Sequence, residues 1–374
     1  MAAPPPPPLG IEAVGHNPAR LWGLTSEERL RRIAAALGLK AGEESPHILA
    51  NMDFVFDPSW LKWVAERPGH ALTREGEPVL AHCIDEASAD EIRRAMIEHR
   101  APAASPALIL IAQETFGAQH DRQLRKRDEP YIERLTDDNA PAIERTTYYA
   151  AYKGVTDLLT KYLWPEWALH LTRLAARLGL SPNIVTLVGA AFCLAAGIAF
   201  YRGDYWPGLA AALVFMVLDT VDGKLARCTI TSSRIGDLLD HGIDLIHPLL
   251  WWWAWGVGLA AYGRPLDPYV FWIAMAALVG SYLVQRAIEG LFILWFRIHI
   301  HVWERLDMRF RLVTARRNPN MVLLFASLVL GRPDIGLVAV ASWTVLSCLF
   351  HLVRIAQARL HRRRAPVISW LERQ

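Results

Sequence analysis

The sequence predicts an all-α polytopic membrane domain of six transmembrane helices following an N-terminal soluble α/β domain, and three observations predict it. From about residue 183 onward, long apolar runs are broken by short polar loops. The first 150 or so residues instead mix charged and apolar positions, as a water-exposed domain does. Basic residues in the apolar half are concentrated in alternate loops. The 374 residues leave room for two or three domains.

The N-terminus, "MAAPPPPPLG", lacks the basic region and apolar core of a secretory signal and reads as a proline-rich tail over residues 1–10. A cytoplasmic α/β domain is expected over 11–148. In it "ARLWGLTSEERLRRIAAALGL" spaces apolar residues as a helix does, with "TSEE" as its start. "HILANMDFVFDPSWLKWVAERPG" reads as strand, turn and helix, and "PALILIAQ" as a buried strand. Four cysteines, Cys83, Cys193, Cys228 and Cys348, lack CxxC spacing and suit reduced thiols. The net charge of +3, without a basic stripe interleaved with aromatics, excludes nucleic acid as the expected partner.

A helix needs about 20 mostly apolar residues to cross a hydrocarbon core of about 30 Å. Candidate spans are roughly 183–201, 206–227, 235–262, 268–296, 319–332 and 334–357. The fifth is short, so five spans is the competing count. Three proposed outer loops, "YRGDYW", "YGRPLDP" and "GRPD", each pair one arginine with one aspartate. The segment "RIHIHVWERLDMRFRLVTARR" has six arginines against two acids, and residues 361–374 form a basic cytoplasmic tail. Both termini and the aspartate-bearing loop should therefore face the cytoplasm, in a multi-pass protein of a bacterial inner membrane.

Four aspartates lie at the edge of the second and third spans, in "LDTVDGKLARCTITSSRIGDLLDHGIDLIHPLL". Asp219 and Asp222 are three residues apart, Asp240 and Asp244 four, so each pair shares one helix face. Burying such charges near lipid costs several kcal/mol each unless they are neutralised. Carboxylate-only ligands suit Mg²⁺ or Mn²⁺ rather than zinc. Gly223 and Gly236 leave backbone accessible beside the carboxylates, and Arg227 supplies a fork of donors suited to phosphate. A single acid at a helix end is usually a solvated cap; four at one level, with glycines and an arginine, form a site.

The pattern D-x2-D-G-x2-A-R-x8-G-x3-D-x3-D, carried here by Asp219, Asp222, Gly223, Ala226, Arg227, Gly236, Asp240 and Asp244, resembles the signature of the CDP-alcohol phosphotransferases. "LSPNIVTLVG" looks like that family's entry into its first membrane helix, and "YKGVTDLLTKYLWP" like its juxtamembrane helix. The resemblance covers roughly 150–360, with a membrane domain expected over 149–360. It implies transfer of a phosphatidyl or other substituted phosphoryl group from a CDP-alcohol to an acceptor hydroxyl, releasing CMP, in phospholipid synthesis. By motif position, Asp219, Asp222, Asp240 and Asp244 would hold two divalent cations, Mg²⁺ or Mn²⁺. Asp244 would also be the base that takes the acceptor's proton. Gly223, Arg227, Ser233, Asn183 and Thr186 would contact the CDP moiety. The resemblance further implies membrane lipids as surroundings, a CDP-lipid donor, a small polar alcohol acceptor and a homodimer.

The acceptor is less legible. Arg309, Arg311, Arg316 and Arg317 would suit a phosphorylated acceptor such as an inositol or other polyol phosphate. They equally suit a loop that orients the protein and meets anionic headgroups. Arg286 and Glu289 read as a structural ion pair, and His241 and His247 as hydrogen-bonded histidines. "HIH" at 299–301 cannot share a helical face and gives no metal site. "WWWAW" reads as a lipid-facing or interfacial belt. The N-terminal segment weakly resembles a sugar-phosphate nucleotidyltransferase, with Asp53 at the metal position. Its glycine-rich phosphate loop is missing, so a noncatalytic remnant is expected. Alternatives are a divalent-cation transporter, a catalytically dead scaffold, and a bifunctional cytidylyltransferase/phosphotransferase. The transporter would spread acids across membrane depth, whereas here they share one level.

Overall fold

The computed structural model describes residues 10–41, 46–232 and 234–373, with side chains except at 40, 41, 46, 47, 234, 235 and 237–241. The proline-rich tail thus lies outside the described residues apart from Gly10. The N-terminal half builds a six-stranded sheet from β1 (Gly10–Val14), β2 (Lys40–Ala41), β3 (Pro46–Asn51), β5 (His70–Arg74), β6 (Glu77–His82) and β7 (Ile109–Ala112), in the order β2-β1-β3-β6-β5-β7. β1 is parallel to β2 and β3, β5 is parallel to β7, and β6 alone runs antiparallel to its neighbours. β4 (Phe54–Phe56) pairs with β10 (Ile132–Arg134), and β8 (Gln119–Asp121) with β9 (Lys126–Asp128) as a separate hairpin.

Three helices cover this sheet, each started by a side-chain cap. α1 (Ser26–Ala36) opens on Thr25, which accepts from the Glu28 amide. α2 (Pro58–Ala65) opens on Asp57 with proline in its first turn, and α3 (Glu86–Ile97) on Asp85. The core of Ile33, Ile48, Trp60, Leu61, Leu72 and Leu80 is fully shielded from water.

The helical half comprises α4 (Ala140–Ala150), α5 (Leu158–Tyr162), α6 (Pro165–Arg177), α7 (Pro182–Arg202), α8 (Tyr205–Cys228), α9 (Arg234–Gly258), α10 (Pro268–Phe296), α11 (Arg305–Arg311), α12 (Arg317–Val329) and α13 (Pro333–Arg362). At Gly258 α9 meets α7 backbone to backbone: a Cβ there would lie 1.9 Å from the Phe200 carbonyl oxygen. Phe200, Tyr205, Trp251, Trp255, Leu278 and Leu337 fill the bundle interior.

Six transmembrane helices were expected, and that number is corrected. Among the described residues three helices, α7, α10 and α13, are long and apolar enough to cross a membrane. α8 carries Asp219, Asp222, Lys224 and Arg227 within its last three turns, which dilutes its apolar character. α12 has 13 residues, about 20 Å of helix, well short of a hydrocarbon core. The three qualifying helices bury 33–44% of their most apolar windows, leaving residues such as Leu187, Leu194, Leu294 and Leu352 exposed as lipid-facing surface. The chain is a multi-pass, membrane-associated protein. The tryptophan run is likewise corrected: Trp251, Trp252 and Trp255 are buried, and Trp253 alone of the four is exposed. Trp251 and Trp255 donate their indole N–H groups to the carbonyls of Cys193 and Pro333, each at 3.0 Å, so they tie helices together.

The two halves share a core. Leu21, Trp22 and Val55 of the α/β part pack with Leu169, Val185, Val221 and Leu225 of the helices. Arg29 and Arg32 of α1 donate to the carbonyls of Cys228 and Thr229, at 3.2 and 2.8 Å, satisfying acceptors that the end of α8 leaves open. The basic C-terminal segment also docks: Leu371 is buried with Val155 and Val302, and the Ser369 hydroxyl donates to the Val302 carbonyl at 2.9 Å.

Candidate functional site

α8 and α9 bring their aspartates together across the loop between them, and α12 supplies the residue that joins them. Arg317 donates from Nη1 to Asp219 Oδ1 at 3.1 Å and to Asp244 Oδ1 at 2.8 Å, and from Nη2 to Asp219 Oδ2 at 2.5 Å. One guanidinium therefore spans carboxylates from two helices, held over the Phe215 ring at 4.9 Å. Asp219 is nearly covered, with 17% of its side chain exposed, whereas Asp244 is 46% exposed. The more open carboxylate can thus meet an incoming group.

Asp222 faces the other way, toward α7. Its Oδ2 accepts from the Thr186 hydroxyl at 2.6 Å and its Oδ1 from the Gly223 amide at 2.5 Å. Thr186, expected to meet the nucleotide, lies beside this carboxylate through that hydrogen bond. Asn183 is half-buried in the first turn of α7. Arg227 lies along the bare face of Gly223, its Nη2 3.2 Å from where a Cβ would sit, so the pair shares one surface. Ser233 and the Asp240 side chain lie outside the described residues. Of the described aspartates, Asp219 and Asp244 share the Arg317 guanidinium, and carboxylate oxygens are the ligand type that hard divalent cations take.

Next to Asp244 opens a cavity of about 600 Å³. Six basic residues, Arg125, Lys153, Arg286, Arg311, Arg316 and Arg317, line it with three acids, Asp157, Asp244 and Glu289. The excess is three positive charges. Arg311, Arg316 and Arg317 are thus brought to one space, whereas Arg309 is exposed and does not line it. Burial, with Arg316 beside it, draws the Arg311 guanidinium down to about 9. Burial holds His299 below the ordinary histidine range, and His301 well below it despite Glu289, so neither adds charge near neutral pH.

Glu289 is the hub of the far wall. Its Oε1 accepts from Arg286 at 3.0 Å and also from Arg316, with His301 Nε2 at 3.3 Å. The i,i+3 pair expected from sequence is present but belongs to this wider network. Among the described residues, Glu289, His301 and His351 form one cluster able to hold a metal ion, with ligand atoms within 4.8 Å of one another. The "HIH" spacing gave no sign of it, because His301 finds its partner on α13 and not at His299. Asp157, at the start of α5, accepts from Asn318 Nδ2 at 2.9 Å and from the Thr160 amide and hydroxyl. Burial alone would raise its carboxyl, but Arg311 and these hydrogen bonds hold it below the usual carboxylate range. His247 Nδ1 donates to the Ile243 carbonyl, 2.7 Å away, and the ring stacks edge-on with Trp251. The His241 side chain lies outside the described residues. A second, apolar groove of about 850 Å³ lies between α7 and α9, lined by Leu194, Ile198, Ile246 and Leu250 and reaching His247 at one end.

In the N-terminal half, Asp53 faces Arg134 at 3.4 Å and His99 at 3.3 Å, and the same two residues meet Glu77. Sequence reasoning missed Gln123, Arg125, Lys153, Asp157 and Asn318, since no local pattern links the hairpin, the linker and α12.

The helical domain thus sets the carboxylates of Asp219 and Asp244 beside an arginine-lined cavity. Residues 179–330 match the model of the CDP-alcohol phosphatidyltransferase family. A phosphatidylinositol phosphate synthase of Streptomyces avermitilis is 38% identical over 93 residues, covering 24% of this chain and 38% of the relative. Cholinephosphotransferase 1 of Homo sapiens is 34% identical over 176 residues, covering 44% and 40%. The chain thus spans about two fifths of the length of these relatives. A crystal structure of Mycobacterium tuberculosis phosphatidylinositol phosphate synthase aligns with a TM-score of 0.38 at 18% identity, over 50% of this chain and 94% of that one.

Proposed function

We propose that the protein transfers a substituted phosphoryl group from a CDP-alcohol, such as CDP-diacylglycerol, to the hydroxyl of a polar acceptor, releasing CMP. The observation that carries this reading is the convergence of Asp219 and Asp244 on Arg317 at the mouth of a cationic cavity. Asp219, Asp222, Asp240 and Asp244 would hold two divalent cations, Mg²⁺ or Mn²⁺, which would stabilise charge developing on the leaving CMP. Asp244, the more exposed carboxylate, takes the acceptor's proton. Arg227 and Gly223 present one surface to the diphosphate. The apolar groove between α7 and α9 suits the acyl chains of a lipid donor, since it begins beside His247 and leaves along the helices.

The acceptor is an anionic polyol, with Arg311, Arg316 and Arg317 drawing it toward Asp244. The active site and both termini face the cytoplasm of a bacterial inner membrane, and the protein works as a homodimer. Its N-terminal domain is a noncatalytic relative of nucleotidyltransferases, a reading supported by the Arg134 and His99 groups already set against Asp53.

The test uses purified protein in detergent with Mg²⁺ or Mn²⁺ and CDP-diacylglycerol, following CMP release against inositol phosphate, glycerol phosphate, inositol, serine and free sugars. Metal-dependent release with one acceptor class, lost in Asp244→Asn, is the expected result. Folded protein that binds no CDP-lipid would sink the reading.

A further inference from the structure

The cavity beside Asp244 is closed by a part of the chain that lies outside the matched family domain. Gln123 and Arg125, at the turn of the β8–β9 hairpin, and Lys153, in the linker before α5, line it together with the arginines of α10 to α12. The hairpin is fixed there from two sides. The Gly154 amide donates to the Leu124 carbonyl at 2.9 Å, and a Cβ on Gly154 would stand 2.6 Å from the Lys126 Cβ and 2.7 Å from the Arg125 carbonyl oxygen. On the other side, Glu372 of the docked C-terminal segment ion-pairs with Arg122 at 3.0 Å and meets His120 at 3.4 Å.

The acids of the cavity are already engaged. Asp244 holds Arg317, Glu289 holds Arg286 and Arg316, and Asp157 accepts from Thr160 and Asn318 beside Arg311. Among the described residues no carboxylate lies within 4.0 Å of Arg125. Burial and the neighbouring Arg316 lower its affinity for its own proton. A phosphate monoester carries about −1.5 to −2 charges near neutral pH, which matches most of the excess of three.

We propose that the β8–β9 hairpin is the acceptor-selecting element of the membrane site, with Arg125 and Lys153 receiving a phosphate group on the acceptor. The inference rests on the transferase reading for the word acceptor; the anion site itself rests on the cavity. The N-terminal domain, on this view, acts on selectivity and not on the chemical step.

The experiment uses the full chain in detergent. Thermal unfolding is followed in inorganic phosphate against chloride at equal ionic strength, for the unmodified protein, Arg125→Gln and Arg125→Lys. CMP release is then measured with a phosphorylated polyol and its unphosphorylated counterpart. Phosphate should raise the melting temperature of the unmodified protein, and Arg125→Gln should lose at least half of that rise. That variant should raise KM for the phosphorylated acceptor about tenfold, leave KM for CDP-diacylglycerol and the unphosphorylated acceptor unchanged, and be partly rescued by lysine. Equal phosphate stabilisation in all three proteins, or a change confined to the CDP-lipid KM, overturns the proposal. Arg125-dependent phosphate binding without CMP release from any acceptor overturns the acceptor role and the transferase reading, and leaves an anion site at the hairpin.

Discussion

The carboxylate cluster and the arginine-lined cavity share Arg317 yet are assembled in opposite ways. The cluster's described aspartates, Asp219, Asp222 and Asp244, come from two helices that follow one another across a single loop. The cavity draws its charges from the β8–β9 hairpin, the linker after α4, α10, α11 and α12. The cluster is therefore written locally, while the cavity exists only once distant segments have docked. The difference teaches where chemistry and selectivity reside: a fixed set of carboxylates for the reaction, and a composite wall that can vary around it.

Removing divalent cations with a chelator should give the largest effect, abolishing CMP release, with activity regained on adding Mg²⁺. The same titration in His351→Ala sharpens the comparison. An unchanged half-saturating Mg²⁺ concentration assigns the required ions to the aspartates, whereas a marked rise moves one to the Glu289 cluster. Next in size, Asp244→Asn should lower kcat by about 10²–10⁴-fold, the range for loss of a positioned base, with circular dichroism unchanged. Activity within threefold of the unmodified protein would break the assignment of chemistry to the cluster. Arg316→Ala, on the cavity side, should raise acceptor KM about tenfold and change kcat little, because it touches Glu289 and the cavity but none of the aspartates.

The smallest effect concerns Asp157, which joins the two regions by capping α5 and accepting from Asn318 beside Arg317. Asp157→Asn should destabilise the protein by about 0.5–2 kcal/mol at neutral pH, the usual worth of such a cap. Its folded carboxyl sits below the ordinary value, so the stabilisation is present above about pH 4 and is lost as pH falls through the folded value. The melting temperatures of the two proteins should accordingly converge in acid. A difference that persists there would assign the effect to shape and not to charge.

The elements of the site were readable before folding: Asp219, Asp222 and Asp244 lie on the helices expected to carry them, and Arg227 packs along Gly223. The shared face expected of Asp219 and Asp222 is corrected, because Asp219 turns to Arg317 and Asp222 to Thr186 on α7. The helices expected from apolar runs formed close to their expected bounds, with α10 at Pro268–Phe296. The number of membrane-crossing helices was overestimated, because a run such as α8 continues as helix after its apolar stretch ends. Thr186 looked like a ligand contact, and only packing of α7 on α8 showed its hydroxyl on Asp222.

By itself the sequence determined the periodic features: the helices that carry the aspartates, the helix start at Thr25, and the basic character of the α11–α12 region. These follow from backbone geometry, which repeats every few residues and needs no distant partner. Tertiary structure alone decided that Arg317 bridges Asp219 and Asp244, that His301 meets His351, and that Arg125 enters the cavity nearly two hundred positions away from Arg317 along the chain. Such contacts are set by which surfaces bury one another, a property of the whole packed chain that no short window of residues contains.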